Sequence, residues 1–453
     1  MLIGRDSELQ QLNRYYGREG SQIVVVYGQR NIGKTALIRE FILGKPSDFY
    51  MARSCSEREQ RYQWARQLEE AGYTISDYPA YKEIFSLLAE GEEKKVLVVE
   101  EFQNLIKADS TFMQELADFI RLHGQTQRLL VILSSSTVGW VEKHMVEKIG
   151  ETAYALSGLL KLKELKFKDC MEFFPEYDKK QCMEVYALFG GFPGLWEHFN
   201  DKASLQENIV SNILSSTGPL FYEAERIVAE ELREMAVYNT ILAAIAEGRH
   251  KLNDLYLHTG FSRAKISVYL KNLMELEIVE KVFSYDTEGY TNVQKGIYRI
   301  SNHLVHFYYR FLYPNQSRLA SGTPGSFYLS VIGPKFSAYV AEYFKDICME
   351  YLIEKNERRQ LPFVFDRFGE WVGKSGNIDI IVQDEMTNTI LALCNYEKPA
   401  MTYEDYRRLL SCAQKARLGT EYIFLFSAGR FDEKLSLEAK IRQNLTLVSL
   451  KEL

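Results

Sequence analysis

Apolar positions along the chain fall into short continuous runs and helical stripes. Residues 23–27 (IVVVY) are an apolar, β-branched run, and after a glycine-bounded turn the spacing becomes helical through 36–41. Ahead of them Leu9, Leu12 and Tyr16 share one helical face. Residues 48–91 read as polar helix, with Tyr62, Ala65 and Leu68 at helical spacing and a break at Tyr78-Pro79. Two more buried-type strands follow, 96–99 ending on Glu100-Glu101 and 129–133 ending on a run from Ser134 to Thr137. From Leu156 onward the pattern is helical, interrupted at 189–194, where two glycines before a proline dictate a sharp bend.

The second half alternates differently. Residues 231–246, 252–258 and 262–276 predict three helices, with Thr259-Gly260-Phe261 as a turn and Ser262 as a cap; 278–283 and 296–300 predict two strands around a polar loop. Three helices and a hairpin in this order are the pattern of a winged helix. His303 and His306 follow among aromatics without carboxylate or thiol partners nearby, so core packing is expected of them, not metal binding. Residues 317–326, containing Ser-Gly-Thr-Pro-Gly-Ser, read as a linker. A helix at 336–354, strands at 371–373, 377–382 and 389–396, a helix at 403–418 and a strand at 422–426 complete the chain.

With 453 residues, 46% of them hydrophobic, the chain is long enough for about three domains. The expected fold class is α/β and multidomain. A formal net charge of −6 provides no global field to draw in nucleic acid and leaves only local basic patches for that purpose. The six cysteines are scattered without a CxxC pair, which suggests neither a zinc site nor a disulfide framework and fits a reducing cytoplasm. No apolar stretch approaches the ~20 residues of a membrane span, so a cytoplasmic protein without a membrane partner is expected.

The chemistry begins at the turn after residues 23–27. Gly28, Gln29, Arg30, Asn31, Ile32, Gly33, Lys34 and Thr35 fit GxxxxGK followed by Ser or Thr, and Ala36 opens the helix. Between a strand and a helix this is a phosphate-binding loop: backbone N–H groups and a helix N-terminus surround the anion, and glycine allows the close approach. Lys34 is expected to reach the β- and γ-phosphates of ATP, and Thr35 to offer its hydroxyl to Mg²⁺. A valine strand ending in Glu100-Glu101 about sixty residues later is the expected Walker B element. Glu100 would orient the Mg²⁺ water shell and Glu101 would polarise the attacking water. If 129–133 lies beside that strand, Ser135 would sense the γ-phosphate.

Ile3-Gly4-Arg5, then Glu8-Leu9, then a strand and GxxxxGKT resemble the opening of AAA+ and STAND ATPases. The resemblance implies that Ile3, Gly4 and Arg5 lie against the adenine, and that Gly190-Gly191 with Pro193 belongs to a helical lid approaching the nucleotide. The C-terminal strands and helix resemble a PD-(D/E)XK (restriction-endonuclease-like) core. The whole order is similar to the prokaryotic, often called archaeal, AAA-type ATPase family. It implies an ATPase core at 1–155, a lid at 156–228, a winged helix with its following helix at 229–316, a linker at 317–330 and a nuclease-like domain at 331–453.

Three departures from that family bear on activity. Glu100 stands where aspartate is usual, and Leu159 where relatives often carry arginine, both of which imply slow hydrolysis. Phe344-Lys345 replaces Phe-Glu, Asn377-Ile378-Asp379 replaces Glu-Ile-Asp, and Leu393-Cys394-Asn395 replaces Glu-Cys-Lys, so Asp379 alone cannot hold a nuclease metal. The expected function is an ATP-binding, slowly hydrolysing switch that positions the winged helix and an inactive nuclease-like domain. One alternative is a DNA-binding regulator or defence component, in which Arg263, Lys265 and Lys271 face double-stranded DNA while Glu275, Glu277, Glu280, Asp286 and Glu288 oppose it. The other is an ATP-gated scaffold for a protein partner. Self-association is open in all three.

Overall fold

A computed structural model describes residues 2–91, 93–108, 111–123, 128–229, 232–285, 296–373 and 376–453. The chain divides into two compact units: residues 1–165 with 192–194, and residues 166–191 with 195–453.

The first unit is built on five parallel strands, β1 (Gln22–Tyr27), β2 (Ser47–Met51), β3 (Lys95–Glu100), β4 (Leu129–Ser135) and β5 (Gly158–Lys161), in the order β2-β3-β4-β1-β5. The central strands are apolar through their middles because helices cover both faces of a parallel sheet, and Ile23 to Val26, Val96 to Val99 and Leu129 to Leu133 are fully buried. On one face an aromatic cluster seals the core, with Trp64 stacked on Tyr50 at 4.2 Å and Phe112 edge-on to Tyr81 at 5.1 Å. The carboxyl ends of β1, β3 and β4 finish side by side, where open α/β sheets place their ligands.

Two expectations fail in this unit. Residues 47–51 form a strand and not the start of a polar helix: at the sheet edge only Tyr50 is buried, so the apolar signal is thin. Residues 158–161 form β5, not helix, pairing with β1 from Val24↔Gly158 to Tyr27↔Lys161, although only Leu160 is buried. Four residues carry no periodicity that separates a strand from a helical turn.

In the second unit the helices Met235–Ala246, Leu252–Thr259 and Arg263–Glu275 precede an antiparallel pair, Val279–Val282 with Ile297–Ile300. Gly260 adopts φ 71° at the end of the second helix, and the Ser262 hydroxyl accepts from the Lys265 N–H at 3.2 Å to cap the third. Asp286 and Glu288 lie outside the described residues.

The stretch 317–330, expected as a linker, is helical: Gln316–Ser321, Pro324–Phe327 and a wider turn at Tyr328–Ile332 lead into the long helix Gly333–Glu357. Thr323 caps the N–H of Ser326 and Pro324 stands in the first turn, so residues that read as a break are a helix start. Beyond it, a mixed five-stranded sheet runs Leu445–Ser449, Tyr422–Ser427, Thr389–Asn395, Gly376–Gln383, Arg367–Gly373. The first three strands are parallel and the last two pair antiparallel. Among the described residues no helix is long and apolar enough to cross a membrane.

His303 and His306 are buried, as packing requires, with Nδ1 of His303 against the Tyr186 carbonyl at 2.9 Å and Nδ1 of His306 against the Tyr343 hydroxyl at 2.6 Å. Burial lowers their pKa values to about 4 and about 3. An unfolded imidazole titrates near ~6.5, so as pH falls the unfolded chain takes up protons first. The pair therefore contributes stability that is complete above about pH 6.5 and is lost toward pH 4, at about 1.4 kcal/mol per pH unit for each ring. NMR of the two rings should show no protonation between pH 8 and 5. Titration of either ring near pH 6.5 would contradict the burial.

Candidate functional site

Three strand ends supply the site. Gly28 follows β1, its N–H donating to the Ser135 carbonyl at 3.3 Å, and a Cβ there would stand 2.8 Å from the Leu162 carbonyl oxygen. Asn31 and Gly33 take positive φ, 64° and 94°, which turns the chain from strand to helix within six residues. The helix Lys34–Ile42 then starts directly from the loop. Lys34 is 8% exposed and its Nζ donates to the carbonyls of Gly28 and Gln29 at 2.8 and 3.0 Å, so the ammonium sits inside the loop's own curve. Ile32 is buried, Gln29 half-buried, and Arg30 and Ala36 are exposed on the outer side.

From β3, Glu100 is 6% exposed and accepts the Thr35 hydroxyl at 2.5 Å. Two residues 65 positions apart thus meet as adjacent hard oxygen donors, the donor set Mg²⁺ prefers. Glu101 begins the next turn at φ 52°, an uncommon conformation for a residue with a side chain. Its Oε2 accepts from the Ser136 hydroxyl at 2.8 Å, the Ser136 N–H at 3.3 Å and Gln103 Nε2 at 2.5 Å. The carboxylate is therefore aimed by β4 as well as by its own strand.

Ser135 is fully buried, with its hydroxyl 2.9 Å from that of Thr137 and accepting the Thr137 N–H at 3.2 Å. Its neighbour Ser136 is the serine that touches Glu101. Arg5, 3% exposed, donates to the Ile32 carbonyl at 2.8 Å and pairs with Glu8 at 3.1 Å, so it braces the phosphate loop from the start of the first helix. Ile3 is half-buried and Gly4 exposed at φ 64°. Pro193 also reaches the loop: a Cβ on Gly33 would lie 3.2 Å from its Cγ, and the N–H of Gly194 donates to the Asn31 carbonyl at 2.9 Å.

Gln103, Ser136 and Gly194 join the site without having been singled out. A Cβ on Gly194 would come within 3.0 Å of the Asn31 backbone, so its glycine was the available signal. Nothing in the run 134–137 distinguishes which serine faces Glu101.

Elsewhere, Arg263, Lys265 and Lys271 are exposed on one helix. Each has a local partner: Arg263 bonds Asn253 at 2.6 Å and lies over Tyr256 at 4.1 Å, Lys265 lies over Phe261 at 4.9 Å, and Lys271 is 3.9 Å from Glu275. At the C-terminal sheet Lys345 of the long helix pairs with Glu370, and Asp379 accepts the Cys394 N–H at 2.8 Å. Burial raises the pKa of Asp379. Asn395 bonds Ser427 at 3.1 Å, and among the described residues no group of three His, Cys, Asp or Glu side chains could hold a metal.

Residues 2–199 match an ATPase domain predominantly from Archaea. This part of the protein has a P-loop NTPase fold. Residues 308–408 match a second family described as archaeal and bacterial proteins of unknown function, and that match runs through the helices at 317–330. A curated relative, an uncharacterized protein of Methanocaldococcus jannaschii, is 28% identical over 386 residues, 85% of each chain. Among solved structures, a Walker-type ATPase of Pyrococcus abyssi has a TM-score of 0.47 at 16% identity, covering 68% of this chain and 96% of its own. The ORC2 protein of Aeropyrum pernix in its ADPNP–ADP complexes has a TM-score of 0.46 at 17% identity, covering 70% and 96%.

Proposed function

We propose that the ATPase domain binds ATP with Mg²⁺ at residues 28–35, hydrolyses it slowly, and serves as a nucleotide-controlled switch for the remainder of the chain. The observation that carries this is the 2.5 Å contact between Thr35 and Glu100 at the mouth of the loop that holds Lys34. Thr35 and Glu100 would hold Mg²⁺, which when bound neutralises charge on the β- and γ-phosphates. Lys34 would leave the Gly28 and Gln29 carbonyls for the phosphates, and Glu101 would take a proton from the attacking water. The extra methylene of Glu100 and the leucine at 159 favour binding over rapid turnover.

In this reading residues 232–300 are a winged helix, supported by three helices and a paired hairpin in order. Residues 333–449 are a degenerate nuclease-like domain, supported by a long helix, a mixed sheet and the helix Tyr403–Ala416. Lys345 pairs with Glu370 and Asp379 accepts a backbone N–H there, so duplex DNA should survive incubation with Mg²⁺ or Mn²⁺. Cleavage that disappears in Asp379→Ala would refute the degenerate reading. The switch itself is tested by calorimetry with ATP. Wild type should bind more tightly with Mg²⁺ than with EDTA, and Thr35→Ala should lose that difference, about tenfold. Absence of ATP binding by wild type would end the proposal.

A further inference from the structure

A cavity of about 460 Å³ lies within the second unit, large enough for a small organic ligand. Leu214, Leu312 and Leu319 form its apolar wall, Phe221 and Tyr222 supply aromatic rings, and Glu225 is its carboxylate. The turn carrying the rings is held in place: Leu220 N–H donates to the Asn212 carbonyl at 2.9 Å, and Gly218 N–H to the Ser215 carbonyl at 2.8 Å. A Cβ on Gly218 would stand 2.5 Å from the carbonyl oxygens of Ser211 and Asn212, so only glycine lets the turn close this tightly. Phe221 and Tyr222 meet edge to face, with ring centres 4.7 Å apart and planes 88° to one another.

Glu225 is half-buried and accepts a hydrogen bond from the Tyr308 hydroxyl. Tyr308 in turn accepts from Gln316 Nε2 at 3.1 Å, which commits the phenol's single proton to Glu225. Burial raises the Tyr308 pKa, so that proton stays in place. Among the described residues no lysine, arginine or histidine pairs with Glu225. A carboxylate partly removed from water, bonded to one neutral hydroxyl and bordered by aromatic rings, is complementary to a cation.

We propose that this cavity binds an alkylammonium group, with the nitrogen beside Glu225 and the Tyr222 ring and the carbon chain against Leu214, Leu312 and Leu319. A single carboxylate selects one positive charge, and the leucines select an apolar body over a hydrophilic one. Both a free amine and the lysine side chain of a protein partner carry this group.

The full chain is titrated calorimetrically with n-hexylammonium, 1-hexanol and acetyl-lysine-methylamide. Hexylammonium should bind saturably and at least tenfold tighter than hexanol. Glu225→Gln should remove that preference while leaving hexanol unchanged, and Leu319→Trp, which fills the cavity, should block both ligands. Tighter binding of the lysine derivative than of hexylammonium assigns the site to a partner's side chain, and the reverse order assigns it to a free amine. Equal binding of hexanol and hexylammonium, no saturable binding of either amine, or unchanged hexylammonium affinity in Leu319→Trp would overturn the proposal. The last variant keeps it falsifiable if Glu225→Gln fails to fold.

Discussion

Glu101→Gln should lower ATP turnover by about 10²–10⁴-fold, the usual contribution of a positioned general base, while ATP affinity stays within about twofold of wild type. The substitution keeps the shape of the side chain, and the amide oxygen still accepts from Ser136 and Gln103 as the carboxylate Oε2 does. What is lost is the negative charge and the capacity to take a proton. Binding and single-turnover hydrolysis measured on the same preparation separate these effects. A variant that turns over as fast as wild type would show that another group activates water, and one that no longer binds ATP would show that Glu101 is structural. The φ of 52° at Glu101 belongs to the main chain, so an isosteric side chain leaves it untouched.

Lys34→Ala should weaken ATP binding by roughly 10- to 100-fold or more, since hydrogen bonds to charged groups contribute about 1.5–3 kcal/mol each. Its ammonium is held by two loop carbonyls within the curve where phosphates would sit, and alanine removes the only positive charge placed there by the loop's buried side. Folding should be little affected, because Gly28 keeps its bond to Ser135 and the helix still begins with the Leu37 N–H on the Gly33 carbonyl at 3.0 Å. Fluorescent-ATP titration with a melting curve as control checks this. Equal affinity of variant and wild type would remove residues 28–35 from consideration as a nucleotide site.

Much of the site was legible because its parts are contiguous. Gly28 to Thr35 form one motif, and the strand ending in Glu100-Glu101 announces itself by placing carboxylates after valines. The three-helix and hairpin order of residues 235–300 was equally readable, since Gly260 and Ser262 punctuate it with turn and cap chemistry whose effect is local. Elements whose stability comes from neighbours were not. Residues 47–51 and 158–161 are edge strands with one well-buried side chain each, and they become strands because β3 and β1 offer them backbone partners. At 317–330, glycine, proline and serine read as a break, whereas Thr323 and Pro324 begin a helix that continues into 333–357.

By itself, then, the sequence determined the local chemistry: a loop that must turn tightly on glycine, a lysine and threonine at its end, and two glutamates closing a buried strand. Tertiary structure alone decided which of these groups meet. Thr35 reaches Glu100 because β3 and β1 flank β4 in register, Ser136 in the turn just past β4, rather than Ser135 within it, reaches Glu101, and Gly194 closes on Asn31 from more than 160 residues away. Such contacts depend on strand order and register, which are collective properties of the packed sheet and leave no mark on any one segment of the chain.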